Sequence, residues 1–420
     1  MNPIRSLLIA SSLLTAATMT AADPMATSYN YDQCNGSLMP YPVPESRIEL
    51  PDSLTPVFIN HVGRHGARFP SSPNSCYNIA RALDRADSLG TITPRGRELR
   101  EIAEYVLETS HNRWGSLDSL GMAEQRGIAS RMFLNFPTLF NDGVVNAISS
   151  YAPRCLMSMY EFTHQLDRLN NHVEIVTSAG RQNSPLMRPF DLDEEYIDWR
   201  KNGDWRGVYA SYLKQTAPLA ALSRVLGTAY PLDDTADKLV LDEYKLLAGM
   251  AAMGQPVDVS RFFTIEEYNA IWSCFNLGQY LQRTSSTLSA VPSEITSKLI
   301  LDLVTTADEV VNGRGIATVC LRFGHAETLM PLLSQLHLPG CYYMTNYFDT
   351  VSQHWCDFYV VPMASNLQMI ITRAKSGRYY MLTMLNEQPV KLIPGDDRTI
   401  LPYNEARNYM MHCLPPHLQI

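Results

Sequence analysis

With 420 residues, 45% of them apolar, the chain can bury one large core or two moderate ones, and its length favours two domains. A formal net charge of -8 and a pI near 5.7 exclude a globally basic binder of nucleic acid. Any affinity for anions must therefore come from cations gathered in one cleft.

The chain opens with Arg5, an apolar stretch through Leu7, Leu8, Ile9 and Leu13, and small residues at Thr20, Ala21 and Ala22. Residues 1–22 read as a secretory signal peptide cleaved after Ala22, so the mature protein is expected to be exported, either periplasmic or secreted. The apolar run is too short and interrupted to span a bilayer, and no later run is long enough; no membrane insertion is expected. Residues 23–56 read as an irregular arm in which Tyr29 and Tyr31 either line a cleft or, more simply, tether the arm. Val57-Phe58-Ile59 reads as a short buried strand. Helical periodicity follows over 77–86, over 95–108 behind the cap and first-turn proline Thr93-Pro94, and over 122–133. Strand patterns recur at 145–150, 173–177, 318–323, 358–361, 368–372 and 379–385.

Between 180 and 291 the strand signal fades and helical stretches take over at 205–216, 218–226, 239–253 and 265–284. Strands alternating with helices indicate an α/β sheet. The expectation is a large α/β domain in two parts, 23–179 and 293–420, around an inserted all-α domain at 180–292. Its central sheet is expected to be mostly parallel and flanked by helices. Tyr268, Trp272, Phe275 and Tyr280 are spaced to bury one helix face and read as core. Eight cysteines in an exported protein permit disulfides without specifying the pairing. No Cys-x-x-Cys pair is present, and His61 and His65 fall where a strand meets a loop, so neither a metal nor another cofactor is expected.

The chemistry concentrates in Arg64-His65-Gly66-Ala67-Arg68-Phe69-Pro70. A histidine that attacks phosphorus needs fixed positive charge on the non-bridging oxygens, and arginine forks supply it bidentately. The string sits just past a strand, where open α/β sheets bind ligands. It resembles the signature of the histidine acid phosphatases and phytases. The resemblance continues from about residue 55 to about residue 330. Leu117 to Gly127 is similar to the family's glycine-containing helix start, and Arg154 with Ser158 to its third phosphate-binding arginine and following serine. Asn183 to Asp191 resembles a segment of the inositol-polyphosphate subgroup. At Phe323-Gly324-His325-Ala326-Glu327 the family usually has His-Asp, and the His-Ala-Glu variant is similar to the multiple inositol-polyphosphate phosphatases.

The resemblance implies a two-step hydrolysis of phosphate monoesters through a phosphohistidine on His65. Arg64, Arg68, Arg154 and His325 would hold the phosphate and Glu327 would protonate the leaving group. The implied partner is a small polyphosphorylated molecule such as phytate, with no nucleic acid and no protein partner indicated. Arg181 and Arg188, then Arg200 and Lys201, are the candidates for phosphates outside the reacting pocket. Two other readings stay open: a broader acid or sugar phosphatase with the same core, and a non-catalytic binder of phosphate esters. The second is disfavoured because His65 and Glu327 are both present.

Overall fold

The computed structural model describes residues 28–419, so the expected signal peptide lies outside the described residues. The first α/β part comprises β1 (Leu54–Arg64), α1 (Asn74–Ser88), α2 (Pro94–Thr109), α3 (Ser119–Asn135), β2 (Val144–Ser149), α4 (Pro153–Leu169) and β3 (Glu174–Ala179). A helical stretch follows: α5 (Ser184–Met187), α6 (Glu194–Asn202), α7 (Trp205–Thr216), α8 (Ala220–Leu226), α9 (Ala236–Ala252), α10 (Ile265–Arg283), α11 (Val291–Glu294) and α12 (Ser297–Val311). The chain then returns to the sheet with β4 (Val319–Gly324), α13 (Ala326–Gln335), α14 (Val351–His354), α15 (Asp357–Val360), β5 (Asn366–Ala374), β6 (Tyr379–Leu385), β7 (Gln388–Pro389), β8 (Ile400–Pro402) and α16 (Tyr403–His412).

The strands form one sheet in the order β3-β2-β4-β1-β5-β6-β7, with β8 also paired to β6. β3, β2, β4 and β1 run parallel, and the hairpin that extends the sheet from β1 is antiparallel. Alternation along β1 sorts its side chains between two layers. Phe58 and Val62 join α12, α13 and α16 in one core, while Ile59 joins α3 and α4 in another. β1 runs on past the expected Val57-Phe58-Ile59 because its polar residues find buried partners. Asn60 Nδ2 donates to the Leu303 carbonyl, and the His61 ring rests between Phe162 and Phe323.

A third core is all helical and draws on α1 and α2 as well as α8, α9 and α10. Spatial neighbours here come from both sides of residue 180. Tyr268 and Trp272 are fully buried in this core and the half-buried Phe275 packs against it, while Tyr280 is buried in the first core, so the helix is covered on more than the one face expected. The arm is a tether: Tyr29 sits edge-on to Trp272 and Phe358. One expected strand, 358–361, is instead the short helix α15. A brief apolar run does not distinguish a buried strand from a buried helical turn. Here Asp357 decides, its N–H donating to Asn276 Oδ1 and its carboxylate accepting from Ser37 N–H and Trp272 Nε1–H. All eight cysteines are unpaired. Among the described residues, no helix is long and apolar enough to cross a membrane, and no cluster of potential metal ligands occurs.

Candidate active site

Three parallel strands end level with one another, Arg64 opposite Gly324 and Ser149 opposite Phe323. The residues just past those ends are therefore brought side by side. His65 N–H donates to the Gly324 carbonyl at 3.1 Å, and Ser150 N–H to the Phe323 carbonyl at 3.0 Å. This is the carboxyl edge of the parallel half of the sheet, where ligands bind in open α/β folds.

The loop after His65 is clamped from three sides. Gly66 and Gly121 approach so closely that a Cβ on either would collide with the other segment's backbone, which is why the helix start at 118–121 carries a glycine. Ala67 N–H donates to Glu124 Oε2 at 2.7 Å, and Gly66 N–H to Ser158 Oγ at 3.1 Å. Ser158 thus holds the loop that follows His65. Burial pushes the Glu124 carboxyl up to about 7, even though two backbone N–H groups favour its ionised form.

His65 is buried, with Nδ1 2.9 Å from the Gly66 carbonyl. A carbonyl only accepts, so Nδ1 carries the hydrogen and Nε2 keeps its lone pair. Burial lowers the pKa of His65 well below the ordinary range, and Arg154, Arg64, Arg68 and His325 lower it further. The imidazole is therefore neutral across mildly acidic pH, with a lone pair free at Nε2.

Arg64 anchors through Nη1 to the Ser37 and Val361 carbonyls, both at 2.6 Å, and Arg68 through Nη1 to the Phe69 carbonyl at 2.9 Å. The Nε atoms of Arg64, Arg68 and Arg154 are buried without an acceptor. Among the described residues no carboxylate forms an ion pair with any of the three. Burial lowers the pKa of Arg64 to about 10 against the pull of Glu327, Glu124 and Asp357, and burial followed by repulsion from Arg154 and Arg64 lowers that of Arg68 to about 9. An anion set among them relieves both costs.

His325 faces His65 edge-on, with ring centroids 5.7 Å apart. Arg154 Nη2 lies 3.2 Å from its Nδ1; Arg188 Nη1 and Ser150 Oγ lie 2.7 and 2.9 Å from its Nε2. Burial above all, with Arg154, Arg188 and Arg68, lowers its pKa to about 3 against the opposing pull of Glu327. A neutral imidazole offers one lone pair, so the ring cannot accept from both guanidiniums. Arg188 is expected at the outer rim but stands inside the pocket. Its Nε pairs with Asp191 at 2.7 Å and its guanidinium lies over Tyr151 and Phe190. The segment before α6 turns Arg188 inward, a result of chain folding that local sequence does not encode. Arg181 is exposed over the other contact of Tyr151, 4.5 Å from the ring centroid, while Arg200 and Lys201 are exposed on α6.

Glu327 lies in the first turn of α13, its side chain 34% exposed. Burial alone would raise its pKa, but Arg283, then His325 and Arg64, hold the carboxyl well below the usual carboxylate range. Arg283 belongs to no motif and was not anticipated: Nη2 is 3.3 Å from Glu327 Oε1, and Nε is another buried donor without an acceptor. Cys155, beside His325, is an inert thiol pushed by burial up to about 11.

A buried neutral histidine at a parallel strand end, ringed by unpaired guanidiniums, is an arrangement for phosphoryl groups, and the chain's resemblance to the histidine acid phosphatases extends to its whole fold. It is similar in sequence and in fold to multiple inositol polyphosphate phosphatases. No family model matches the chain. It is 25% identical to multiple inositol polyphosphate phosphatase 1 of Homo sapiens, over 95% of this chain and 90% of that one. The crystal structure of the Bifidobacterium longum multiple inositol polyphosphate phosphatase, in complex with inositol hexasulfate, superposes with a TM-score of 0.74 at 17% identity, covering 90% of this chain and 97% of that one. The phytase from D. castellii gives a TM-score of 0.70 at 16% identity over 92% of this chain and 86% of its own.

Proposed function

We propose that this protein hydrolyses the phosphate monoesters of inositol polyphosphates such as phytate, without a metal. The observation that carries the reading is the set of guanidiniums, Arg64, Arg68 and Arg154, each with a buried Nε that lacks an acceptor and with no carboxylate in an ion pair among the described residues, around the free Nε2 of a neutral His65. In the first step Nε2 forms a bond to phosphorus as the bond to the inositol oxygen breaks, and the Glu327 proton goes to that oxygen. In the second step water attacks phosphorus, the P–N bond breaks, and the water's proton returns to Glu327. Splitting one displacement into two lowers each barrier. Preset donors from the arginines and His325 supply the electrostatic share.

The inositol-polyphosphate assignment is supported by the relatives named above and by the His-Ala-Glu sequence at 325–327. Arg181 serves phosphates beyond the pocket, and Arg188, from its position on His325, serves the reacting one. We further infer export through residues 1–22 and an inserted helical domain at 180–292, with the substrate between it and the α/β domain. Two measurements test the central reading. Labelled phosphate should be trapped on His65 after an alkaline quench, in which the P–N bond survives, and purified protein should release phosphate from phytate in the presence of chelator. No label on His65, or a rate that returns only with a divalent ion, overturns it. Turnover of phytate against glucose 1-phosphate separates it from a broad sugar phosphatase.

A further inference from the structure

Arg283 is the last residue of α10 and reaches the site from the helical layer, opposite the sheet that carries the nucleophile. Its pairing with Glu327 works against the acid role, because a carboxylate held ionised has no proton to give. The groups facing Glu327 are Arg283 from α10, Arg64 and Arg68 from the end of β1, His325 at the start of α13, Cys155 from α4 and Tyr196 from α6. None of these groups is a carboxylate, Glu124 and Asp357 act on Arg64, and among the described residues Arg283 has Glu327 as its carboxylate partner. A further negative charge for Arg283 must come from outside.

The guanidinium is set to receive it. Nη2 points at Glu327 Oε1, while Nε, on the same edge of the fork, is buried without an acceptor. That edge is the one that grips two oxygens of a phosphate. A phosphate engaging Nε competes with Glu327 for Nη2.

We propose that Arg283 is a substrate-operated switch on the proton donor: a second phosphate of the substrate, adjacent to the one being cleaved, takes Arg283 as its partner and releases Glu327 to hold a proton. This rests on Glu327 being the donor and adds how that donor is armed. The proton comes from solvent on binding and passes to the leaving oxygen as the P–O bond breaks. A polyphosphorylated ring thereby arms its own acid, and a monophosphate of the same alcohol does not. By linkage, protonation of Glu327 and binding of the second phosphate strengthen each other equally.

The test compares pH profiles of kcat, which reports ionisations in the enzyme–substrate complex, on myo-inositol monophosphate and on phytate. For the monophosphate, Arg283→Gln should move the descending limb of the wild-type profile upward by about 1 to 3 pH units, the range for loss of an opposite charge beside a carboxyl. On phytate the limb should stay in place while KM rises about tenfold or more, as for a lost charge-assisted contact. Arg283→Lys keeps the charge and should keep the wild-type limb. An unmoved limb on the monophosphate overturns the switch. If instead Glu327→Gln leaves both limbs and both rates intact, the donor assignment itself fails.

Proton uptake provides a readout free of turnover and of variant folding. Calorimetry of the wild-type protein with myo-inositol hexakissulfate, whose sulfates do not titrate, should register about one proton taken up near pH 5.5. That uptake should be absent in Glu327→Gln and clearly smaller with inorganic sulfate. Equal uptake with both anions, or none with either, overturns the proposal.

Discussion

Glu243 on α9 is fully buried, and neither of its carboxyl oxygens has a hydrogen-bond partner. The nearest cation, Arg224, is occupied by Glu267 through contacts at 2.7 and 2.9 Å. Burial therefore raises the Glu243 pKa well above the ordinary value; Arg224 opposes this only in part, and Glu267 adds to it. Replacing Glu243 with Met, of similar length and wholly apolar, removes a polar group whose unsatisfied burial costs about 1–3 kcal/mol. With an unfolding entropy of about 2.1 cal/mol/K per residue, a protein of this size gains only about 1–4 °C in Tm from that amount. The sign with pH follows from the raised pKa. Below about pH 4.5 both folded and unfolded states carry the proton. Above it the unfolded state loses the proton and the folded state keeps it, so wild-type stability falls as pH rises. Differential scanning calorimetry at pH 4 and pH 7 should show the variant more stable at both, with the wider gap at pH 7. A variant equal to or less stable than wild type at pH 7, with cooperative unfolding retained, refutes the reasoning and means that Glu243 has a stabilising partner.

Four further outcomes are expected. His65→Ala should reduce phytate turnover to below about 1% while phytate binding, measured by calorimetry, persists through the remaining arginines. Glu327→Gln should lose on the order of 10² or more on phytate and far less on p-nitrophenyl phosphate, whose phenolate leaves without a proton; equal losses would place Glu327 in phosphate positioning. Arg188→Ala should weaken phytate and the aryl phosphate by similar factors because Arg188 stands on His325, whereas Arg181→Ala should affect only phytate; steady-state KM values on both substrates decide. With burial and the surrounding cations keeping His65 neutral, kcat on the aryl phosphate should show no acid limb near the free-imidazole value of 6.5, and a limb there would mean that His65 is protonated in the complex.

The reacting half of the site was legible because its residues adjoin strand ends along the chain. An apolar strand that runs into Arg64-His65-Gly66 predicts where His65 emerges, and the same holds for β4 and His325. Helices with strong caps were equally clear, as at Thr93-Pro94, where the threonine hydroxyl accepts from Gly96 N–H at 3.0 Å. Ser158 was placed by its spacing from Arg154, but its contact with Gly66 N–H joins residues 92 positions apart and came only with the fold. The short apolar run at 358–361 was misread because burial on all sides erases the periodicity that separates helix from strand.

The sequence by itself determined that His65, Arg64 and Arg68 stand at a strand end and that the frame is α/β, since each depends on neighbours along the chain or on a repeating pattern of burial. Tertiary structure alone decided that Arg188 turns inward onto His325 and that Arg283, 44 residues before Glu327, lies against the carboxylate. Those placements depend on how the helical layer docks on the sheet, and a lone arginine at a helix end carries no local signal of what it will face. Coulomb forces act across a few ångströms of space, whatever the separation along the chain.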